Sequence, residues 1–481
     1  MSTFNPGTGL DPGTSLSIAE GLQATGLAKV IVVVRPDATA AAAGDGRRGR
    51  SRGGDISGAA ASVSRHFTRV EGEAAVSATR GGRRGRGGAG AAAPPPLYRS
   101  YNNLGLVLGT VTRDGLESLK RDPAAVAVVG APTLSLVRPL AASAAKAGTG
   151  VTWGLAKMQV PRLWAAGITG KGVLVGHLDT GVDGRHKALK KAIHSFAEFD
   201  MDGSQVQGSA PVDSAEHGTH TAGTILARKV GKTQFGVAPG AQLASAKVIE
   251  GGDVIARVLG GLDWVVGQGV RVLSMSLGLR GYRDDFMPVV DILRDRGILP
   301  VFAIGNEGRN TSRSPGNYPQ VLSVGACDSG NDVADFSSSQ RFARPVRPIT
   351  PDLVAPGVDI LSCVPGGYMK MDGTSMATPH VAGVAALLME AKPDATVAEV
   401  ENAIFTTCVR PADMPEERGG RGIVDAAAAY EHLTGRTLPF GAAATARSTS
   451  KPSKAGKATR KTARTTASKK RGAAKKTGRR R

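Results

Sequence analysis

The chain has 481 residues, 41% hydrophobic and 21% charged, with 3 cysteines and a formal net charge of +21. That is enough for one large or two to three ordinary domains with a sizeable core, and too little cysteine for a disulfide framework or a zinc motif. The excess charge is uneven: residues 1–150 carry 18 basic and 10 acidic side chains, 151–440 carry 28 and 30, and 441–481 carry 15 and none. The positive charge therefore sits in appendages and speaks to partners, not to the fold.

Residues 1–27 are rich in Gly, Ser, Thr and Pro without periodicity and read as disordered. They also lack the basic start, apolar stretch and small-residue cleavage site of a secretory leader. Apolar runs long enough to span a membrane are missing as well. These features predict a cytoplasmic protein, with export by a route not visible in the sequence as the alternative.

Ala28 to Val34 reads as a short buried strand ended before Pro36. An Arg/Gly-rich stretch at about 44–96, with Arg47-Arg48-Gly49-Arg50 and Arg83-Arg84-Gly85-Arg86, reads as a loop insertion. Leu104 to Thr110 is a second strand, Arg113 to Arg121 a helix with Leu116 and Leu119 on one face, and Val126 to Val129 a third strand. Together they predict a small α+β unit over 28–138, followed by an Ala/Gly/Ser linker at 139–151.

From 152 to 435 the pattern alternates strands and helices, which predicts an α/β domain with a mainly parallel sheet and helices on both faces. Gly172 to Leu178, Val270 to Met275 and Ile298 to Ile304 are strands, and Val254 to Val266 is an amphipathic helix. Ligands of such sheets gather beyond the carboxyl ends of the strands. Asp179, Ser276 and Asn306 all fall there.

Three segments carry chemistry: Asp179-Thr180-Gly181, His217-Gly218-Thr219-His220 and Gly373-Thr374-Ser375-Met376-Ala377. A serine hydroxyl is a poor nucleophile at neutral pH, so it needs a histidine to take its proton and a buried carboxylate to orient that imidazole. Ser375 also opens a helix, whose positive end suits an adjacent oxyanion. The segments resemble the signatures of the subtilisin-like serine proteases nearly letter for letter and in the family's order. The likeness extends to Ser274-Met275-Ser276-Leu277-Gly278, Ala303-Ile304-Gly305-Asn306-Glu307-Gly308 and Pro351-Asp352-Leu353-Val354-Ala355-Pro356.

This resemblance implies a serine endopeptidase acting on polypeptides, with Asp179, His217 and Ser375 as the triad and the Asn306 amide as an oxyanion donor. It implies that Ser276, Leu277 and Gly278 form the substrate-binding edge, unobstructed at Gly278, and that Ala303, Ile304 and Gly305 wall the pocket for the residue before the scissile bond. No cofactor enters the chemistry. The 28–138 unit resembles the family's inhibitory pro-domain, a partner to be cut away within 138–152.

Several other readings compete at single positions. Asp179-Thr180-Gly181 and Asp328-Ser329-Gly330 could be an aspartic-protease dyad, but their flanks alternate strand with helix instead of forming β-barrel lobes. His220 reads as a packed helix residue. Asp200-Met201-Asp202-Gly203 has carboxylates at a calcium-like spacing, so structural calcium is possible, although a solvated loop fits as well. Residues 436–481 read as a disordered tail resembling linker-histone tails in composition. Its 441–481 stretch is suited to nucleic acid or another polyanion through counterion release, and to no base sequence in particular. A nucleic-acid-associated protein with a latent protease domain is the competing function.

Overall fold

The structure, a computed structural model, describes residues 15–35, 54–69, 97–250 and 254–439. An N-terminal sheet has the order β2-β3-β1-β4, built from β1 (Ala28–Val34), β2 (Tyr98–Tyr101), β3 (Leu106–Val111) and β4 (Ala125–Gly130). Its three pairings are antiparallel. Three helices accompany it: α1 (Leu16–Thr25), α2 (Ser57–Ser64) and α3 (Arg113–Lys120). Thr112 caps α3 by accepting the Gly115 N–H, as expected of a threonine at this position.

Two of these helices lie where the sequence shows no pattern. In α1 only Ile18 and Leu22 are buried, one turn apart, and Gly26 ends the helix in the left-handed conformation. In α2, inside the Arg/Gly-rich insertion, Ala59, Ala60 and Val63 are buried. The remainder of the insertion lies outside the described residues.

The chain then runs on to the second, larger part of the fold as two short strands, β5 (Ser135–Leu136) and β6 (Ala141–Ala145). The main sheet has eight strands in the order β9-β8-β10-β7-β11-β13-β14-β15. They are β7 (Leu174–Asp179), β8 (Ile193–Phe199), β9 (Gln205–Val206), β10 (Gln242–Lys247), β11 (Val272–Met275), β13 (Leu299–Ala303), β14 (Leu322–Cys327) and β15 (Leu353–Pro356). All neighbours are parallel except β9 with β8. This is the mainly parallel α/β sheet expected from the alternating pattern, and the strand β12 (Leu277–Arg280) leaves it immediately after β11.

Each face of the sheet carries its own core. One is organised around a helix, α7 (Thr374–Ala391), buried from Thr374 to Met389, and includes α4 (His217–Leu226), α8 (Val397–Thr407) and α9 (Ala426–Thr434). The other packs α5 (Val254–Gly267) and α6 (Met287–Asp295) against Leu178, Ala246, Leu273, Met275 and Phe302. Order runs past 436, since Leu438 is buried and its N–H donates to Glu431 Oε1 at 2.9 Å. The basic stretch 441–481 lies outside the described residues.

Candidate active site

Asp179 is the last residue of β7 and is 1% exposed. Its Oδ1 accepts from His217 Nδ1 at 2.7 Å and from the Thr180 N–H at 2.7 Å. Its Oδ2 accepts from Thr221 Oγ1 at 3.2 Å. Burial pushes this carboxyl up, but the charge and hydrogen bond of His217, with the His177 imidazole close by, outweigh it and hold it well below the carboxylate range. The group is therefore an anion at any working pH.

His217 opens α4, and its approach to Asp179 depends on two glycines. Gly181 adopts φ 119°, and a Cβ on it would collide with Val212 O; a Cβ on Gly218 would collide with Gly181 O. The Thr180 hydroxyl accepts the Gly218 N–H at 3.0 Å and donates to Asp213, whose other oxygen caps the helix by accepting the Thr219 N–H at 2.7 Å. His217 Nε2 is buried and has no hydrogen-bond partner among the described residues.

Ser375 lies in the first turn of α7, fully buried. Its hydroxyl donates to Val137 O at 2.5 Å and not to His217. Asn306 stands three residues beyond β13. Its Oδ1 accepts from both the N–H and the hydroxyl of Thr374, each at 2.9 Å, which fixes the amide and turns Nδ2 toward the crossing chain. There Nδ2 donates to Arg138 O at 2.8 Å.

The chain itself occupies the expected substrate edge. β5 pairs antiparallel with β12, Leu136 opposite Leu277 and Ser135 opposite Gly278, and the Val137 N–H donates to Ser276 O at 2.9 Å. Gly278 serves a purpose beyond leaving that edge open. A Cβ on it would sit 2.8 Å from Ser314 O, on the neighbouring segment Arg313–Ser314 that pairs with its strand. Ala303, which ends β13, and Ile304 and Gly305 beyond it are buried, and Gly305, at φ 121°, accepts the Thr374 hydroxyl on its carbonyl at 3.2 Å.

Other candidates fall away from the chemistry. His220 is fully buried and its Nε2 donates to Ile360 O at 2.9 Å; burial, with the nearby His217 charge, drives its pKa down to about 3, so it stays neutral. Asp328 Oδ1 accepts from Gly330 N and Asp332 N in its own turn. Asp200 likewise spends Oδ1 on the Asp202 and Ser204 N–H groups, and among the described residues no three His, Cys, Asp or Glu gather as a metal site. Burial pushes the thiols of Cys327, Cys363 and Cys408 up to about 12. None is a nucleophile at neutral pH.

Sequence reasoning missed His177, Thr221 and Thr374. His177 is two residues before Asp179 on β7, hence on the same face, and its Nε2 lies 2.9 Å from Thr221 Oγ1 and 3.6 Å from Asp179 Oδ2. The period-2 signal was present, but a histidine in a strand has no intrinsic meaning until the helix across from it is known.

The model of the Subtilase family matches residues 170–437. The chain belongs to the subtilase family. Subtilisin E of Bacillus subtilis (strain 168) is 33% identical over 319 residues, covering 65% of this chain and 77% of that protein. Subtilisin BL of Lederbergia lenta is 36% identical over 282 residues, 58% and 98% of the two chains. M-protease of Shouchella clausii (strain KSM-K16) is 35% identical over 301 residues, 62% and 74%. This subtilase is a serine-type endopeptidase, and its substrates are polypeptides. Among its described residues no helix is long and apolar enough to cross a membrane.

Proposed function

We propose that this subtilase cleaves peptide bonds with Ser375 as nucleophile, His217 as base and then acid, and Asp179 as the anion that orients it, and that its first substrate is its own Val137–Arg138 bond. One observation carries the reading: Val137 is held by the Ser276 carbonyl with its own carbonyl on the Ser375 hydroxyl. In the reaction Ser375 Oγ bonds to the Val137 carbonyl carbon and its proton passes to the partnerless His217 Nε2. The oxyanion is met by the Ser375 N–H and by Asn306 Nδ2, which moves from Arg138 O to Val137 O. His217 then protonates the Arg138 nitrogen as the C–N bond breaks, and water hydrolyses the Val137–Ser375 ester by the same proton path.

The Asn306 contact on Arg138 O leaves Arg138–Pro139 as the rival bond. Four features support Val137–Arg138 instead: the Ser135 and Leu136 pairing, the Val137 N–H and the Ser375 hydroxyl all register the chain one residue earlier. The purified wild type is expected to begin at Arg138 and to keep residues 1–137 as a bound unit, a zymogen turned enzyme and inhibitor. A mature N-terminus at Pro139 would move the scissile bond by one residue.

The tail extends this reading. Fifteen cations without one acid in 441–481 support a tether to nucleic acid or a similar polyanion. Removing 441–481 is expected to leave hydrolysis of a small peptide unchanged while DNA binding and its steep salt dependence vanish. DNA binding that survives the deletion would place the contact elsewhere.

A further inference from the structure

The strand edge at Leu277–Arg280 serves the acyl half of the crossing chain, and a second edge serves the other half. It is β17 (Gly367–Asp372), which forms a hairpin with β16 (Ile360–Val364) and ends three residues before Ser375. On its free side β17 pairs antiparallel with β6 over five positions, from Asp372 opposite Ala141 to Tyr368 opposite Ala145, and the Leu140 N–H donates to Asp372 O at 2.9 Å.

The occupant explains little of this by itself. Ala141-Ala142-Ser143-Ala144-Ala145 has no β-branched or aromatic residue, and its first four residues are exposed. What holds it is main-chain pairing, which is how a sheet edge takes up an added strand. Nothing on β17 is spent on blocking that edge: both of its charged residues turn to Asp359 on the approach to β16, Lys370 Nζ donating to its carboxylate and Asp372 Oδ1 accepting its N–H, each at 2.6 Å.

We propose that β17 is the docking edge for the leaving-group half of substrates, an extended polypeptide reaching eight residues beyond the scissile bond and recognised by its backbone. The proposal rests on Ser375 being the nucleophile. It makes this subtilase a protease of unfolded or extended segments, because a folded loop cannot lay a straight strand along both edges at once. It also means that the new N-terminal arm from Arg138, still joined at Thr152, competes for β17 after the first cut.

The test is made in S143P/A144P, where prolines in the exposed arm remove whichever of the two N–H groups joins the ladder. Two internally quenched peptides are compared, one with the sequence of residues 134–139 and one with that of 134–145. The longer is expected to show at least a ~10-fold higher kcat/KM, and N-methylation of its residues matching Ser143 and Ala144 is expected to return it to the level of the shorter. Equal rates, or a gain that survives N-methylation, would overturn the edge while leaving the Ser375 assignment intact. If neither peptide is cut and a serine-reactive phosphonate adds nothing to Ser375, the assignment fails and the proposal with it.

Discussion

The four-stranded and eight-stranded sheets are both buried on two faces, but only the larger one covers both with helices of its own. On β1, Val30, Val32 and Val34 pack with Ile18, Leu22, Ala60, Val63, Leu116 and Leu119 from the unit's three helices. The alternate side differs: Ile31, with Leu106 and Leu108, joins the core of Ile255, Leu259, Leu262, Val289 and Leu293, which belong to α5 and α6 of the protease domain. The unbroken apolar run of β1 thus reflects a sheet sandwiched between its own helices and another domain's. One face of the N-terminal sheet is thus completed by side chains of the protease domain.

Polar contacts repeat the asymmetry. Asp263 of α5 accepts from the Leu104 N–H at 3.0 Å, Tyr101 Oη donates to Ala256 O at 3.2 Å, and Ser17 Oγ donates to Asp285 at 2.6 Å. In each of these bonds the protease domain supplies the acceptor and the N-terminal unit the donor.

Four substitutions probe this contrast. Ser375→Ala keeps the two regions covalently joined and is expected to lower kcat on a peptide by roughly 10⁶; intact mass and a rate assay read both effects. Asn306→Ala leaves both cores alone and is expected to cost about 2.7–4 kcal/mol of transition-state stabilisation, seen as a ~10²–10³-fold loss in kcat without a shift in melting. Ile31→Ala removes a buried side chain at the joint and is expected to cost about 2–5 kcal/mol. That loss should appear as a lower melting point of the uncut Ser375→Ala chain, while the matured protease keeps its rate; an unchanged melting point would mean the joint is not where the unit's stability lies.

The smallest expected effect concerns pH. Burial beneath Asn103 and Leu104 pushes the Asp263 carboxyl up, and the hydrogen bonds from those residues do not offset it. The docked chain then favours the protonated form, so Asp263 contributes stability as pH falls through its raised pKa and loses it as pH rises above. In the uncut Ser375→Ala background, Asp263→Asn is expected to flatten this slope in unfolding midpoints taken from pH 4.5 to 7.5. A slope left unchanged by the substitution would assign it to other carboxyls.

The fold class was legible from alternation alone, and the motif-bearing site residues were legible because each sits in an unusually constrained segment, as the collisions at Gly181 and Gly218 show. Residues such as Thr374, which fixes the Asn306 amide, and His177, behind Asp179, were not, because their roles exist only between elements distant in sequence. Strand β6 was illegible for a related reason: five small residues with no strand preference become a strand because β17 offers them a ladder. Helix α1 escaped notice since two buried side chains in ten residues, with Gly21 between them, make too weak a stripe.

We propose above that the chain presents its own Val137–Arg138 bond to Ser375. N-terminal sequencing with intact mass of purified wild type and Ser375→Ala tests it most directly. A new terminus at Arg138 is expected in the wild type and a full-length chain in the mutant; the same cut in purified Ser375→Ala, or a wild type that stays whole, would rule self-cleavage at this bond out.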